Sequence, residues 1–543
     1  FEMLSIADLG LLKMDLLGLK NLTIIEDTVR LVKELHEEEI KISQIPLDDK
    51  KTFELLRAGD TTGVFQFESA GMRRYMKEIK PTMLEDLIAL VALFRPGPME
   101  LIPLFIKRKN GEEKIIYLHP KLEPILKNTY GIGVYQEQMM QIARNLAGYT
   151  LPEADTLRKA IGKKIKSLLD EQKEKLISGM TKNGVDKKTS QAIWELFPPF
   201  ARYGFNKSHA ACYALIGYRT AYLKANYPIE FMASLLNAEV NDIDRIAFLI
   251  TEAKQAKIDI LPPDVNKSFV DFTPEIEHDN VPSESVKSAE SAGRRRRRNG
   301  KIRFGLLAIK NVGEHITRAI IEDRISRGQF KDFYDFLTRI QHKDLNKKSL
   351  ESLIKSGALD SLNIERNQAL QNIDDILRFT STMRKTTVAQ NHASLFGPQS
   401  STATLKLKSV PPATPHEKLT WEKELLGFYL SDHPLNAHLE RINKAGVKPI
   451  DEARLIKNDN SILRVAGLVS KIQRILTKNG QPMLFATIED FSPQPMEVVV
   501  FNDVLNKTTP VWQENNVVIV QGRMSWRNNE PKIICEKAVK LEA

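Results

Sequence analysis

Five stretches near the carboxyl end of the chain decide the fold of that part: ILRVAGLVSKI (462–472), MLFATIED (483–490), MEVVVF (496–501), NVVIVQGRM (516–524) and PKIICEK (531–537). In each, apolar and polar residues alternate or β-branched residues follow one another, and this pattern predicts short β-strands. Asn479-Gly480, between the first two stretches, is typical of a hairpin turn. Five short strands in about eighty residues predict a small barrel, and an oligonucleotide-binding barrel is the leading candidate of that size.

Two polar stretches lie upstream of these strands, at about 274–300 and 381–418. Both contain too little apolar surface to offset the conformational entropy of an ordered chain, so we expect linkers or long surface loops. The first contains an unbroken basic run, Arg294 to Arg298. Because like charges repel, a solvated loop or a loose phosphate contact is favoured there over an ordered site. The second contains one apolar pair, Leu395 and Phe396.

The rest of the chain has the spacing of helices. From residue 24 to about 232, apolar residues recur at three- and four-residue intervals with Pro or Gly at the breaks, which predicts one large helical domain. Short helices return from 302 to about 379, with a hairpin-like segment, GLLAIKNVGEHITRAII (305–321). The predicted fold class is therefore multidomain and mainly α, followed by a small all-β barrel.

Composition favours a polyanionic partner. Lys and Arg number 79 and Asp and Glu 69, which gives a formal net charge of +10 and a pI of about 9.2. Cys212 and Cys535 are too few for a disulfide framework or a four-thiolate zinc site, so a reducing interior is expected. The longest apolar run, 87–94, is less than half of a bilayer span, and no membrane segment or secretory signal is expected.

The segment LRKAIGKKIKSLL (157–169), placed on one helical wheel, has Leu157 on its apolar face and Lys159, Lys163 and Lys166 on the opposite face. A solvated helix face and a phosphate-binding helix are equally good interpretations, because Lys supplies charge-assisted donors to anionic oxygens.

Aromatic and cationic residues are interleaved over 202–228, RYGFNKSHAACYALIGYRTAYLKANYP. Such mixing suits contact with a nucleotide or a single strand, because rings stack on bases while cations meet phosphates. Tyr213, Tyr218 and Tyr222, taken alone, are better explained as half-buried helix residues. LFRPGPME (93–100) predicts a rigid Pro-Gly-Pro turn after an exposed Arg95, which is either structural or a phosphate anchor.

Two acidic segments are candidates for metal binding. KMDLLGLKNL (13–22) places Asp15 in an apolar setting near Lys13, where a paired structural carboxylate is as good an explanation as a metal ligand. One aspartate is not a two-metal site, which needs several carboxylates around cations about 4 Å apart. Asp242 and Asp244 form an Asp-x-Asp pair between two helical patterns, where helix capping is the better explanation.

A set of longer strings carries a resemblance to a known family. Together they resemble, in order and over nearly the whole chain, the α subunits of bacterial DNA polymerase III, the C-family of replicative DNA polymerases. The strings are KMDLLGLKNLTII, GDTTGVFQFESAGMRRYM, ALFRPGPME, TYGIGVYQEQMMQIA, EADTLRKAIGKK, YGFNKSHAACYAL, LPPDVNKSF, IKNVGEHITRAI, LIKSGALDSL, EKELLGFYLSDHPL and the final five stretches.

The resemblance implies a division of the chain into seven segments. These are a palm remnant (1–23), helical fingers (24–232), a fingers extension with polar linker (233–300), a tandem helix-hairpin-helix DNA-binding region (301–380), a linker with a clamp-binding peptide (381–418), a helical connector (419–460) and an oligonucleotide-binding barrel (461–543).

The resemblance also implies roles for individual residues. Asp15 matches one of the acidic metal ligands of the polymerase palm, and Lys13 its basic neighbour at the catalytic centre. The other implied sites are the nucleotide-binding Arg95, Arg158, Lys163, Asn206, Lys207 and His209; the DNA-binding Lys159, Lys166, Lys310, Val312 and Gly313; and the clamp-binding His392, Ser394, Leu395 and Phe396, with His392 where the family usually has Gln.

The implied activity is templated addition of deoxynucleotides to a primer 3′ end with two Mg²⁺ ions. The implied partners are a primed DNA template, deoxynucleoside triphosphates, single-stranded DNA at the barrel, a sliding clamp and other polymerase III holoenzyme subunits, in the bacterial cytoplasm. The family's amino-terminal domain, thumb and most of its palm are absent from the sequence, so the chain is expected to be inactive alone. The alternative is a nonenzymatic DNA-binding scaffold built of hairpin-helix and barrel modules.

Overall fold

The computed structural model describes residues 2–12, 14, 18–163, 166–197, 204–276, 300–390, 405–477, 479–492, 494–527 and 530–542. The chain divides into two compact units, Phe1–Ala238 and Glu239–Ala543. The predicted Arg294 to Arg298 run lies outside the described residues.

The first unit is helical. Its helices are α1 (Met3–Asp8), α2 (Lys20–His36), α3 (Lys50–Ala58), α4 (Ala70–Ile79), α5 (Leu84–Leu93), α6 (Ile102–Lys109), α7 (Glu123–Leu126), α8 (Gln136–Ala147), α9 (Leu151–Lys163), α10 (Lys166–Lys182), α11 (Lys187–Trp194), α12 (Lys207–Asn226) and α13 (Pro228–Ala238).

Short polar side chains start several of these helices. Asp49 accepts a hydrogen bond from the backbone N–H of Thr52 at 2.8 Å at the start of α3, and Asn206 accepts one from His209 at 2.8 Å at the start of α12. Such caps satisfy backbone donors that have no partner within the helix.

Helix α5 is the centre of the larger core of this unit. Its residues from Leu87 to Leu93 are all buried, and α12 packs along it. A helix that is apolar on every side must be surrounded by protein, which explains why the longest apolar run of the sequence lies here. A second core is formed by α8, α9, α10 and α11.

The structure corrects the single helix predicted over 157–169. Lys175 of α10 contacts Glu153 of α9 at 2.7 Å, although 22 residues separate them. One continuous helix would place them roughly 33 Å apart at about 1.5 Å per residue. The chain therefore reverses between α9 and α10, and Lys159 and Lys166 do not lie on one helix. Periodicity could not show this because both helices have similar apolar spacing.

The second unit begins with helices and a small sheet. Its helices are α14 (Ile243–Gln255), α15 (Glu314–Arg327), α16 (Phe333–Arg339), α17 (Lys347–Lys355), α18 (Arg366–Gln371), α19 (Ile373–Gln390), α20 (Pro415–Leu426), α21 (Leu439–Lys444), α22 (Ile450–Arg454) and α23 (Asn502–Thr508). The Asp242 side chain accepts from the backbone N–H of Arg245 at 3.0 Å, so the predicted helix capping at the start of α14 is confirmed for Asp242.

A three-stranded sheet lies beside these helices and was not predicted. Its strands are β1 (Asp259–Leu261), β2 (Thr273–Ile276) and β3 (Gly300–Arg303), in the order β1-β3-β2, with β1 parallel and β2 antiparallel to β3. Strands of three or four residues are too short to show a period, which explains the omission.

The predicted barrel is present. Strands β4 (Ile462–Leu476), β5 (Pro482–Glu489), β6 (Met496–Val500), β7 (Val517–Arg527) and β8 (Glu530–Lys540) close in the order β4-β5-β6-β8-β7. Alternate residues of β5, namely Leu484, Ala486 and Ile488, point into the interior. The turn at Asn479-Gly480 joins β4 to β5, as predicted, with Gly480 at a φ of 72°. The mainly α fold class followed by a small all-β barrel is confirmed.

The polar stretch 381–418 is more ordered at both ends than predicted. Helix α19 continues to Gln390. Beyond the gap in the described residues, the Asn372 side chain accepts from the Lys408 backbone N–H at 2.9 Å and donates to its carbonyl oxygen at 3.1 Å. Glu365 accepts from the Ala413 N–H at 2.9 Å. Hydrogen bonds to a neighbouring helix hold this segment, and composition alone cannot reveal such bonds.

Candidate functional site

The predicted site residues fall into described and undescribed groups. Lys13, Asp15, His392, Ser394, Leu395 and Phe396 lie outside the described residues, as do the side chains of Lys163 and Lys166.

Arg95 follows the carboxyl end of α5. Its Nε donates to the carbonyl oxygen of Ala92 at 2.9 Å, and its guanidinium carbon lies 4.2 Å from the centre of the Phe205 ring. Burial lowers the pKa of Arg95 from its ordinary value. The predicted turn follows it, with Gly97 at a φ of 101°, a conformation that favours glycine. The prediction that Arg95 is exposed was wrong: the side chain is half-buried against a ring.

The start of α12 is fastened to the start of α8. Phe205 and Tyr135 form a parallel β-bridge, in which the Phe205 N–H donates to the Val134 carbonyl at 3.0 Å. Both carboxylate oxygens of Glu137 accept from the Lys207 backbone N–H at 3.0 Å. The Lys207 Nζ lies 5.6 Å from the centre of the Tyr135 ring. These contacts fix the positions of Asn206 and Lys207 relative to α8.

Four rings follow one another along this surface, and we call Phe205, His209, Tyr213 and Phe65 the aromatic row. The centroid distances are 5.4 Å from Phe205 to His209, 4.3 Å from His209 to Tyr213 and 5.2 Å from Tyr213 to Phe65. His209 is exposed and the other three are half-buried. His209 and Tyr213 are four residues apart on α12, which places them on one helix face, and Phe205 lies just before the cap residue Asn206. Rings of this kind, beside Arg95 and Lys207, can stack on flat aromatic ligands while the cations meet anionic oxygens.

The loop of residues 61–69, before α4, carries Phe65 of the aromatic row and packs against α12. The Phe65 backbone N–H donates to the Thr220 hydroxyl at 3.1 Å, and the Thr61 hydroxyl donates to the Phe67 carbonyl at 2.6 Å. Gly217 of α12 approaches closely, because a Cβ there would lie 2.5 Å from a Phe67 ring carbon. Tyr218, predicted to be half-buried, is instead fully buried and donates its hydroxyl hydrogen to the Pro46 carbonyl at 2.7 Å.

Sequence reasoning missed three residues of this surface: Phe65, Tyr135 and Glu137. Their contacts with α12 join positions about 70 or more residues apart, and no local pattern indicates them. The strings GVFQFES and GVYQEQ, which contain them, carried part of the family resemblance and were the available signal.

Arg158 and Lys159 lie on α9 and share one partner. The Asp155 carboxylate is 2.8 Å from the Arg158 Nη2 and 2.8 Å from the Lys159 Nζ. Lys159 and Arg158 lower the pKa of the Asp155 carboxyl. Helix α9 belongs to the second core, whereas the aromatic row lies on the larger one. Among the predicted nucleotide-binding residues, Arg95, Asn206, Lys207 and His209 lie together at the start of α12, whereas Arg158 lies on α9 with Asp155 as its partner.

The hairpin at 309–313, which we call the first hairpin, contains Lys310, Val312 and Gly313. Lys310 and Gly313 are exposed, and Val312 is buried. Gly313 precedes α15 without a side-chain cap, and no heavy atom lies within 4 Å of the position of a Cβ there. The amino terminus of a helix carries partial positive charge, so this end of α15 is accessible to an anion.

The barrel surface combines rings and cations. Phe491 and Phe501 are 58% and 46% exposed, and Lys471 and Arg474 of β4 are exposed. Lys532 is paired with Glu497 at 2.6 Å and lies 5.7 Å from the Phe485 ring centre.

Two further properties concern the described part of the chain. It contains no group of three or more His, Cys, Asp or Glu side chains able to hold a metal ion. Among its helices, none is sufficiently long and apolar to span a membrane.

Comparison with family models finds three matches, in chain order. The model described as the bacterial DNA polymerase III alpha subunit finger domain matches residues 21–184, a helix-hairpin-helix motif matches 257–369, and an OB-fold nucleic acid binding domain matches 463–541.

Curated relatives match the chain over its full length. The DNA polymerase III subunit alpha of Borreliella burgdorferi is 39% identical over 100% of this chain and 45% of its own length. That of Bacillus subtilis is 40% identical over 100% of this chain and 46% of its own length. That of Thermus aquaticus is 39% identical over 100% of this chain and 42% of its own length. The chain thus spans a little under half the length of these relatives.

Proposed function

Because the chain is homologous along its whole length to bacterial DNA polymerase III alpha subunits and spans a little under half of each, we propose that it supplies the fingers, the tandem helix-hairpin-helix region and the OB barrel of such a replicative polymerase. The proposed reaction is templated addition of deoxynucleotides to a primer 3′ end, in the bacterial cytoplasm. The observation that carries the proposal is identity near 40% across the full chain, together with three family models in order.

The proposed nucleotide site is the surface around the aromatic row. Arg95 and Lys207 would neutralise the triphosphate, because fixed cations stabilise charge that develops on phosphoryl oxygens. Rings of the row would stack on bases. Asn206 and His209 are proposed to contact the nucleotide from the start of α12, and their fixed position beside Arg95 supports this role. Arg158 and Lys163 remain predictions, and Arg158 would first have to leave Asp155.

The proposed metal is Mg²⁺. When bound, it stabilises the attacking and leaving oxygens in phosphoryl transfer. Asp15 would be one of its ligands, with Lys13 beside it, and the other acidic ligands implied by the resemblance are not in this sequence. The chain alone is therefore expected to be inactive.

DNA is proposed to bind at several places. The first hairpin would contact duplex phosphates through Lys310 and the backbone at Val312 and Gly313, and Lys159 and Lys166 would contribute further charge. The exposed rings and cations of the barrel support contact with single-stranded template. The segment with His392, Ser394, Leu395 and Phe396 is proposed to bind the sliding clamp, and other holoenzyme subunits are further proposed partners.

Reconstitution tests the proposal. The chain is mixed with a polypeptide that supplies the upstream half of a curated relative, and extension of a primed template is measured. We expect extension, and we expect the substitution Asp15→Asn to abolish it by removing a metal ligand. Asp8→Asn, at an exposed aspartate of α1, is the matched control and should keep activity. If no reconstitution extends primers while DNA binding is intact, the nonenzymatic scaffold is the better interpretation.

A further inference from the structure

The helical part of the second unit contains two hairpins with similar sequences. Ile309-Lys310-Asn311 begins the first hairpin, and Ile354-Lys355-Ser356 begins another, residues 354–359, which we call the second hairpin. Both leave the helical conformation through a residue with positive φ, Asn311 at 68° and Gly357 at 81°. On sequence alone the two would be assigned the same role.

Their exposure is opposite. Lys310, Asn311 and Gly313 of the first hairpin are exposed, whereas residues 356–359 of the second hairpin are all buried. The backbone N–H groups of Ser356, Gly357 and Ala358 in the second hairpin donate to carbonyls of α17 at 3.0–3.1 Å, so they are already bonded within the protein. In the first hairpin the Lys310 N–H donates to the Leu425 carbonyl of α20 at 3.1 Å, so the contrast between the hairpins lies in exposure and not in contact with α20. A buried hairpin cannot present its backbone amides to a duplex.

Arg366 covers the second hairpin. A Cβ at Gly357 would lie 2.3 Å from the Arg366 Nη2, so the guanidinium occupies the space beside this glycine. Its Nη2 is 2.6 Å from Asp360, and its Nη1 donates to the Lys355 carbonyl at 3.1 Å. The guanidinium is 3.4 Å from Glu422 on α20.

Glu422 continues the contact into the connector. Its side chain is 2% exposed, and its Oε2 accepts from the backbone N–H groups of Leu430 and Ser431 at 3.0 and 2.9 Å. Arg366 and Glu422 thus join the second hairpin to α20 and to the chain that follows it. A buried carboxylate needs such partners, because an unpaired buried charge is costly.

The helix starts near the two hairpins also differ. Helix α15 has only Gly313 before it, without a side-chain cap. Helix α18 is capped by Glu365, whose carboxylate accepts from the Gln368 N–H at 2.9 Å and from the Ala413 N–H at 2.9 Å. The amino terminus of α18, which carries partial positive charge, is therefore already occupied by the Glu365 carboxylate.

A cavity of about 240 Å³ lies beside Arg366, lined in part by Asp264, Ser361 and Ser431. It is smaller than the roughly 300–1,000 Å³ of typical ligand pockets. It leaves room for water around the ion pair and none for a nucleic-acid strand.

We propose that the second hairpin is an intramolecular joint that fixes α20 to the helical region, and that of the two hairpins only the first is open to a DNA backbone. The inference rests on the proposed function, because it assigns the duplex contact to one half of the tandem helix-hairpin-helix region. Arg366 and Glu422 are the centre of the joint.

The matched lysines test the DNA side of the inference. Binding of the full chain to a fluorescent 20-base-pair duplex is measured by anisotropy at several salt concentrations. Lys310→Ala should lower the salt slope by about one, the effect of one lost phosphate contact. Lys355→Ala should leave the slope unchanged. A slope that falls equally with Lys355→Ala would overturn the inference and leave the proposed function standing.

Hydrogen exchange tests the joint without DNA. In Glu422→Ala the backbone amides of Leu430 and Ser431 lose their acceptor, and exchange of the peptide that contains them should become at least about tenfold faster. Arg366→Met keeps an unbranched, flexible side chain and removes the ion pair, and should speed exchange in the same peptide. Unchanged exchange in both variants would refute the joint.

The DNA-binding and hydrogen-exchange experiments distinguish failure of the proposed function from failure of the joint. If the chain does not bind duplex DNA at all, the proposed function fails, and the joint is still judged by hydrogen exchange. If Arg366→Met does not fold, Glu422→Gln is the second variant, because it keeps the side-chain shape and removes the charge. It should weaken protection less than Glu422→Ala, and protection equal to that of the unaltered chain in both Glu422 variants would count against the joint.

Discussion

At the scale of single residues, the two thiols have opposite environments. Cys212 is exposed on α12, one position before Tyr213 of the aromatic row, and Cys535 is buried in the barrel. Burial raises the pKa of Cys535 to about 12. The thiolate is the reactive form of cysteine, so the buried thiol should be inert at neutral pH.

Alkylation checks this difference. With iodoacetamide at pH 8, we expect Cys212 to be modified in the folded protein and Cys535 to react only after denaturation, because roughly one in ten thousand Cys535 side chains would be thiolate at that pH. Peptide mass spectrometry measures both sites. Cys212→Ser should leave the native protein unlabelled, and native labelling of Cys535 would contradict its burial.

At the scale of elements, α12 determines the geometry of the candidate site. Its first turn positions Asn206, Lys207 and His209, and its middle packs on the loop of residues 61–69 through Gly217. The Phe65 carbonyl oxygen would lie 2.8 Å from a Cβ at Gly217. Backbone cannot yield as easily as a flexible side chain, so this contact fixes the distance between helix and loop.

Gly217→Ala should therefore destabilise the packing of this loop. Overpacking costs about 1–3 kcal/mol, and the better helix propensity of alanine offsets up to about 1 kcal/mol of it. Hydrogen-exchange mass spectrometry should show faster exchange in peptides from 61–69 and from the middle of α12. Gly18→Ala, where no heavy atom lies within 4 Å of the Cβ position, is the control and should change neither peptide. If these peptides exchange at the same rate in Gly217→Ala as in the unaltered chain, the loop of residues 61–69 adjusts to the added methyl group without loss of packing, and the prediction is wrong.

At the scale of the whole molecule, local patterns predicted what local interactions determine. The alternation of apolar and polar residues predicted the five strands of the barrel. The pair Asn479-Gly480 predicted the turn between the first two of them, and the position of Asp242 between two helical patterns predicted a helix cap. Contacts between distant residues were not predictable from pattern. Glu137 meets Lys207 across 70 residues and Arg366 meets Glu422 across 56, and neither pair has a sequence period. The reversal between α9 and α10 was missed for the same reason.

The clamp contact is a prediction at this scale, because it joins the chain to another protein. Leu395→Ala with Phe396→Ala should remove clamp binding and leave DNA affinity unchanged, since an apolar pair supplies the anchors of a peptide in a groove. Surface plasmon resonance on immobilised clamp and anisotropy on DNA measure the two affinities. Leu405→Ala, which truncates an aliphatic side chain outside the proposed clamp-binding peptide, is the control and should leave clamp binding unchanged. Clamp binding that persists in the double variant would refute the assignment.

The hydrogen bonds between Asn372 and Lys408 anchor the chain at one end of α19. That helix runs from Ile373 to Gln390, so its two ends lie about 27 Å apart at about 1.5 Å per residue. The Lys408 backbone is therefore held at the end of α19 opposite to Gln390. Asn372→Ala would remove both of its hydrogen bonds to Lys408 and weaken this anchor, so one buried amide helps to set where the segment after residue 404 joins the helical region.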